Sequence, residues 1–282
     1  MNESFSFVDD SFDPIISSSY YLSIQLSLDG FSFCILDPVH NKYLQFQHLP
    51  LEANRPINEQ VENWFRQIEK LNLPYKKTLV LLPSSRGTLV PTPVFDAAQP
   101  EDWMRFCGPL SEKQTVHYNK IAMADAYNVF PVEAELEKLL KKQFPNPRIF
   151  HQNTPVIEGN LATKMNEGNK TTLFINLHSA CFDLLAFSDN SLKLCNNFPI
   201  KSENDFIYFT LFAFEQLKLS PNEVEIIMSG HHPRFDALGK QLSRYLRHVA
   251  PSTLPHHFRY SHLFRSLNAP RFYNLLSLPV CV

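Results

Sequence analysis

The chain has 282 residues, 44% hydrophobic and 13% aromatic, with a formal net charge of −2; this is enough for one large domain or two lobes, and it excludes a global attraction to nucleic acid or membrane. Five scattered cysteines (Cys34, Cys107, Cys181, Cys195 and Cys281) with no CxxC pair exclude a disulfide framework and zinc-site spacing and fit a reducing compartment. Only seven glycines are present, against roughly 20 at average usage, and neither GxGxxG nor GxxxxGKS/T occurs, which excludes a classical dinucleotide-binding or P-loop fold.

Residues 1–18 are polar, mixed with Phe, and read as loosely held. The opening MNESFSFVDD has neither a basic stretch nor an apolar one, so no signal peptide is expected. No apolar run approaches 18 residues, and the expected location is cytoplasmic. In YYLSIQLSLDGFSFCILDPVHNKYLQFQHLPL, Leu22, Ile24, Leu26 and Leu28 alternate with polar residues at the period of a half-buried strand. Asp29-Gly30 is a hairpin turn signal. Phe31, Phe33 and Ile35 alternate again, and a further turn leads to a third strand over 43–46. Asn58 is placed to cap a helix running to about Lys70, with Val61, Trp64, Phe65 and Ile68 on one face. A buried strand follows over 78–82.

A Pro- and Ser-punctuated region, about 84–130, reads as an insertion. It carries a helix start at Pro100 and paired strands over 115–130. PVEAELEKLLKKQF is an amphipathic helix with Pro131 in its first turn and Lys141 and Lys142 near its end. A strand is expected at 148–150. Strands over 172–177, 182–187 and 191–194, a helix over 203–217 and a strand over 225–228 then repeat the order of the first half. Ile24-Gln25-Leu26 falls on Ile175-Asn176-Leu177 at an offset of 151 residues. The reading is an internal duplication, with lobes at 1–165 and 166–282.

A duplicated three-strand meander, helix and strand is the arrangement of the actin-like ATPase (ribonuclease-H-like) superfamily. EIIMSGHHPRFDALGKQLSRYL resembles its adenosine-binding segment: a strand ending at Ser229-Gly230, then a helix from about Pro233 to Leu246. TLVLLPSSRGTLVPTPVF and ADAYNVFPVEAELEKLLKKQFPNPRIFH resemble parts of its pilus-assembly and cell-division members. The chain is similar, over roughly 20–250, to a bacterial family of unknown function assigned this α/β fold.

The resemblance implies an interlobe nucleotide cleft lined by Gln25, Ser27, Asn176, His178, Ser229, Gly230 and His231. Active members carry an Asp-x-Gly triplet on the first strand of each half, whose aspartates organise Mg²⁺. The matching triplets here are Gln25-Leu26-Ser27 and Asn176-Leu177-His178. Both carboxylates are amides and both glycines are replaced, with Asp29 and Asp183 the nearest acids. A neutral amide supplies no charge to a hard dication. The expectation is therefore a degenerate member that has lost hydrolysis and serves as a binding or assembly module for a protein partner, with no catalytic residues, metal site or required cofactor. An active ATPase or kinase-like enzyme using ATP and Mg²⁺ is the alternative.

Other residues carry weaker signals. His231-His232 and His256-His257 lack metal-ligand spacing and read as loop residues, as does Ser84-Ser85-Arg86-Gly87. Asp9, Asp10 and Asp13 read as solvated. After Gly230 the cations Arg234, Lys240, Arg244, Arg247, Arg259, Arg265 and Arg271 face a single acid, Asp236, with aromatics interleaved. That pattern offers a second alternative, a nucleic-acid-binding face. The apolar end FYNLLSLPVCV is expected to be docked.

Overall fold

The computed structural model describes all residues except 1–3, 28, 29, 53, 85, 168 and 169, and the side chains of 164–167. In chain order the first half contains β1 (Phe5–Val8), β2 (Tyr21–Ser27), β3 (Gly30–Asp37), β4 (Lys42–Leu49), α1 (Ile57–Gln67) and β5 (Lys77–Leu82). Next come β6 (Thr88–Pro91), α2 (Pro100–Phe106), β7 (Gln114–Ile121), β8 (Ala126–Glu133), α3 (Ala134–Gln143), β9 (Arg148–His151) and α4 (Asn153–Glu167). The second half contains β10 (Thr172–Leu177), β11 (Cys181–Ser188), β12 (Ser191–Pro199), α5 (Glu203–Gln216), β13 (Glu225–Gly230), α6 (Phe235–Leu242), β14 (His248–Pro251), β15 (Arg259–Tyr260) and α7 (Ala269–Ser277). Among the described residues, no helix is long and apolar enough to cross a membrane.

The two main sheets share one strand order. The first runs β4-β3-β2-β5-β9 and the second β12-β11-β10-β13-β14, with β1 and β15 added beside β4. In each, the first three strands are antiparallel and the last two run parallel to the central one. β2 and β10 start 151 residues apart, and so do β3 and β11. Across the hairpins Gln25 pairs with Ser32 and Asn176 with Asp183, so the 151-residue offset is also the structural register. A third sheet, β6-β8-β7, lies in the chain between β5 and β9.

Each of the two main sheets is covered on both faces. Leu22, Ile24, Phe31 and Phe33 pack against Val61 and Phe65 of α1 and Leu140 of α3. Leu173, Ile175 and Leu184 pack against Phe206 of α5 and Leu238 of α6. Phe174, Leu185 and Phe187 face Val156, Ile157 and Leu161 of α4. The chain beyond β14 returns to the first sheet, where Phe264, Phe272 and Leu275 cover Cys34, Leu36, Tyr43 and Phe46. This is why Ser23 and Gln45 are buried although strand alternation alone predicts a solvated face. Complete burial of some dozen aromatic side chains contributes about 2 kcal/mol each before entropy is subtracted.

Several boundaries differ from expectation. Asn58 does not cap α1: Pro56 precedes the helix without a side-chain cap, and Ile68 is already extended. Pro131 is not in a helix but in β8, opposite Val116. It lies past the stretch where β6 pairs β8, so its missing N–H breaks no ladder there. The helix after Gly230 is shorter, ending at Leu242, while β12 runs on to Pro199. The N-terminal segment is held: Phe5 and Phe7 pack onto the cluster around Phe46. Asp9 is buried against Lys42 at 2.9 Å, and Asp13 accepts the Ile15 N–H, so of the three early acids only Asp10 is solvent-exposed. The expected turn residue Asp29, the strand residue Leu28 and the loop residue Ser85 lie outside the described residues.

Candidate functional site

A cleft of about 830 Å³ opens where β2, β5, β10 and β13 end, at the carboxyl ends of parallel strands, where open α/β sheets bind ligands. Gln25, Ser27, Asn176, His178, Gly230 and His231 line it. Ser229, the seventh expected residue, is fully buried beneath it. Its hydroxyl donates to Asn176 Oδ1 at 3.1 Å and ties β13 to β10. Gly230 has φ +96, and a Cβ there would lie 2.1 Å from the Leu177 carbonyl oxygen. Glycine is required at this strand end because the two backbones touch.

Beneath the hairpin between β10 and β11 lies Asp183, fully buried. Its Oδ2 accepts from Gln152 Nε2 at 2.7 Å, pairs with His178 Nε2 at 2.8 Å and accepts from Asn176 Nδ2 at 3.4 Å; Oδ1 accepts from Asn197 Nδ2 at 2.9 Å. Burial alone would raise this carboxyl, but the bond and charge of His178, with the Asn197 bond, hold it below the usual carboxylate range. The side chain of Asn176 is spent internally, its amide nitrogen toward Asp183 and its oxygen toward Ser229.

His151 is buried, and burial pushes its imidazole down. Its Nε2 lies 3.0 Å from the Ser84 carbonyl and its Nδ1 accepts the Asn153 N–H at 3.1 Å, so it is neutral with its proton on Nε2. Burial also raises the Cys181 thiol and pushes Cys195 up to about 12, leaving neither poised as a thiolate.

On the first-half side, the equivalent of Asp183 is Ser32, whose hydroxyl lies 2.8 Å from His48 Nδ1. The other ring nitrogen, Nε2, is 2.9 Å from Arg271 Nη2. A guanidinium only donates, so His48 Nε2 accepts, the ring is neutral and its Nδ1 proton points to Ser32. This fixes Arg271, in the first turn of α7, in the wall of the cleft, where it is the one permanently charged side chain among the described lining residues.

Asp183 and Arg271 entered the sequence reading only as a nearby acid and as one of a basic series; Gln152, Asn197 and His48 did not enter it. A usable signal was the acid in CFDLLAF, set where alternation demands an apolar residue beside Leu185 and Phe187. Nothing local marks His48, because the tail that meets it lies more than two hundred residues away. His231 donates its N–H to Leu177 O, His232 Nδ1 accepts from the Arg234 N–H, and His257 Nε2 meets Thr163 Oγ1. The basic series is dispersed: Arg234 pairs with Glu203, while Lys240, Arg244 and Arg247 are exposed on or just after α6. Arg259 sits in β15 beside Lys42 of β4, and Arg271 is in the cleft.

The family described as "Protein of unknown function (DUF3822)" matches residues 9–249. No curated protein matches the chain in sequence. Among solved structures, a Bacteroides thetaiotaomicron protein with actin-like ATPase fold and unknown function superposes with a TM-score of 0.83 at 23% identity, covering 96% of this chain and 99% of its own. The PilM-PilN type IV pilus biogenesis complex gives 0.59 at 11% identity, with 92% and 97% covered. The ethanolamine utilization protein EutJ from Carboxydothermus hydrogenoformans gives 0.50 at 7% identity, with 98% and 93% covered. The fold is therefore the duplicated actin-like ATPase fold, with the β6-β8-β7 sheet inserted in its first half.

Proposed function

The chain belongs to the DUF3822 family and carries an actin-like ATPase fold, and we propose that it uses this fold as a non-hydrolysing binding or assembly module. The fold's active members place carboxylates at the two strand ends to organise Mg²⁺, and the residues present here do not fit that ion. Gln25 and Asn176 are neutral at those ends. Asn176 turns both ends of its amide inward. The nearest described carboxylate, Asp183, meets Gln152, His178, Asn176 and Asn197 across its two oxygens.

The saturation of Asp183 is the observation that carries the reading. A carboxylate that holds Mg²⁺ or its waters must turn an oxygen toward the metal. Asp183 would have to give up bonds within this set, two of whose members, Gln152 and Asn176, are themselves buried, at a cost in lost hydrogen bonding. Without a metal to offset the charge of a β,γ-phosphate, electrostatic stabilisation of phosphoryl transfer is largely lost. PilM, found with PilN in a pilus biogenesis complex, is a precedent for assembly on this fold. Phosphate release from ATP with excess Mg²⁺ tests the reading. The expected rate equals that of buffer and of an Asn176→Ala variant. Mg²⁺-dependent turnover that the variant loses would sink it.

A further inference from the structure

We infer that β12, the open edge of the second main sheet, pairs with the same edge of a second copy of this chain across a two-fold axis, with α5 packed against α5. The product is a closed dimer in which the two second-half sheets join into one of ten strands, five from each copy. It goes beyond the reading of the cleft and holds whether or not the cleft hydrolyses ATP.

The first observation is an edge left open in one half only. In the first sheet the outer strand β4 is paired by β1 and β15, from the two ends of the chain. β12 holds the equivalent place, yet among the described residues it pairs with β11 alone. An open edge nine residues long is a template for another strand. Just past β12, the Ile200 N–H bonds the Ala180 carbonyl. By alternation Leu194, Asn196 and Phe198 then turn their backbone groups to β11, and Cys195 and Asn197 turn theirs outward. The Asn197 N–H is met there by the Asn196 side chain. A two-fold axis at Asn196 sets Cys195 opposite Asn197 of the second copy as a hydrogen-bonded pair. It also sets Leu194 opposite Phe198, both on the face that α5 covers. Lys193, the one charge in the strand, falls opposite Pro199 and not opposite its own copy.

The second observation is the helix above that edge. Phe209 of α5 stacks on Phe198 of β12 at 4.9 Å, so α5 lies over the edge strand. Its inner face is buried through Phe206, Ile207, Ala213 and Phe214. Its outer face carries two more aromatics, Tyr208 and Phe212, 62% and 42% exposed, with their rings 6.1 Å apart and nearly parallel. A helix apolar on both faces belongs between two layers. The charges fit a copy set antiparallel. Glu203 is taken by Arg234, and Asp205 by Ser202 and the Lys201 N–H. That leaves Lys201 before the first turn and Glu215 in the last, both exposed and seven residues to either side of Tyr208. An axis at Tyr208 puts Lys201 of each copy against Glu215 of the other, with the helix dipoles opposed. The size is sufficient for a weak dimer. A nine-residue strand is about 30 Å long, and the sheet with its helix layer is about 20 Å deep. That gives roughly 500–600 Å² per copy, at the total of about 1,000 Å² that a specific interface needs.

The test is analytical ultracentrifugation of the full chain from about 1 to 200 µM, a range set by the small interface. The expected result is a reversible monomer–dimer equilibrium that goes no further, because a two-fold contact closes on itself. Tyr208→Lys, which sets like charges at the axis, should weaken the dimer roughly 100-fold and leave the melting temperature of the dilute monomer unchanged. Lys201→Glu and Glu215→Lys should each weaken it roughly 10-fold, and the double variant should recover most of the loss. The strand is tested by a cross-link. Asn196 meets its own copy as a non-hydrogen-bonded pair, with Cα atoms about 4.5 Å apart, within disulfide reach. Asn196→Cys in a Cys107→Ser background should therefore cross-link into dimers on mild oxidation, and Cys107→Ser alone should not. Open-ended polymer, or a dimer indifferent to a folded Tyr208→Lys variant, would overturn the inference. So would a double charge swap no better than either single one, or no cross-link through Asn196→Cys. A chain that stays monomeric at every concentration leaves the edge to a strand of another protein and overturns the second copy as its occupant.

Discussion

Ser32 and Asp183 occupy one position of the repeated sheet: each is the third residue of the return strand, opposite Gln25 and Asn176 respectively. Each then reaches the neighbouring strand, Ser32 to His48 of β4 and Asp183 to Asn197 of β12. One half therefore keeps a buried charge under its hairpin and the other a neutral relay to Arg271. The duplication has diverged into two different supports for one cleft.

Asp183→Asn should destabilise the fold by about 3 kcal/mol, since removing one member of a buried charged network strands its partners. Urea denaturation gives the value. Ser32→Ala, which loses a neutral bond, should cost about 1 kcal/mol. A loss below about 1 kcal/mol for Asp183→Asn would contradict the role given to that carboxylate.

Restoring an acid at the strand end should not restore a metal site. Asn176→Asp sets a second carboxylate against Asp183, whose Oδ2 now lies 3.4 Å from the Asn176 nitrogen. Two carboxylates that close cannot both ionise without cost. The variant should lose about 2 kcal/mol of stability at neutral pH, recover part of it on mild acidification, and show no gain in affinity for Mg²⁺. Stabilisation by Mg²⁺ would contradict this.

Gly230→Ala introduces a Cβ 2.1 Å from the Leu177 carbonyl oxygen and 2.6 Å from its nitrogen, at a φ that side chains rarely adopt. Backbone on both sides cannot yield cheaply, so a loss of about 3 kcal/mol or more is expected in chemical denaturation. Gly159, where an added Cβ meets nothing within 4 Å, is the control: being helical, it should gain up to about 1 kcal/mol as Ala.

Stability should fall steeply in acid. Burial opposes ionisation of Asp9, Glu137 and Asp183, yet their partners prevail. Ser11 and Lys42 bring Asp9 down to about 2, Lys141, Thr115 and His117 bring Glu137 down to about 2, and His178 holds Asp183 low. A depressed folded pKa gives stability that is present above the unfolded value, near 4, and is lost as pH falls through the folded one. The urea midpoint should thus hold from about pH 7 to 5 and drop between about pH 4 and 2. Glu137→Gln should flatten that drop by about 1 kcal/mol, a figure kept small because Lys141 is exposed and screened. A midpoint indifferent to pH across that range would count against these pairings.

Much of the fold was legible because its signals are local. Strand alternation around Ile24 and Ile175, turn chemistry between strands and the 151-residue offset all lie within short windows, and they place Gln25, Asn176 and Gly230 at one cleft. The cleft's working groups were less legible because they depend on distant chain segments. His48 acquires its role from Arg271 through the returning tail, and Gln152 from Asp183 across the two halves. Pro131 was misplaced for a related reason: its position reads as a helix start unless the end of β6 pairing is known.

We propose that this cleft works without a divalent metal. The most direct measurement is a Mn²⁺ titration of the full chain followed by electron paramagnetic resonance, with and without ATP. The claim predicts that free and ATP-bound Mn²⁺ signals match those of protein-free solutions. Stoichiometric protein-bound Mn²⁺ that disappears in a folded Asp183→Asn variant would contradict it.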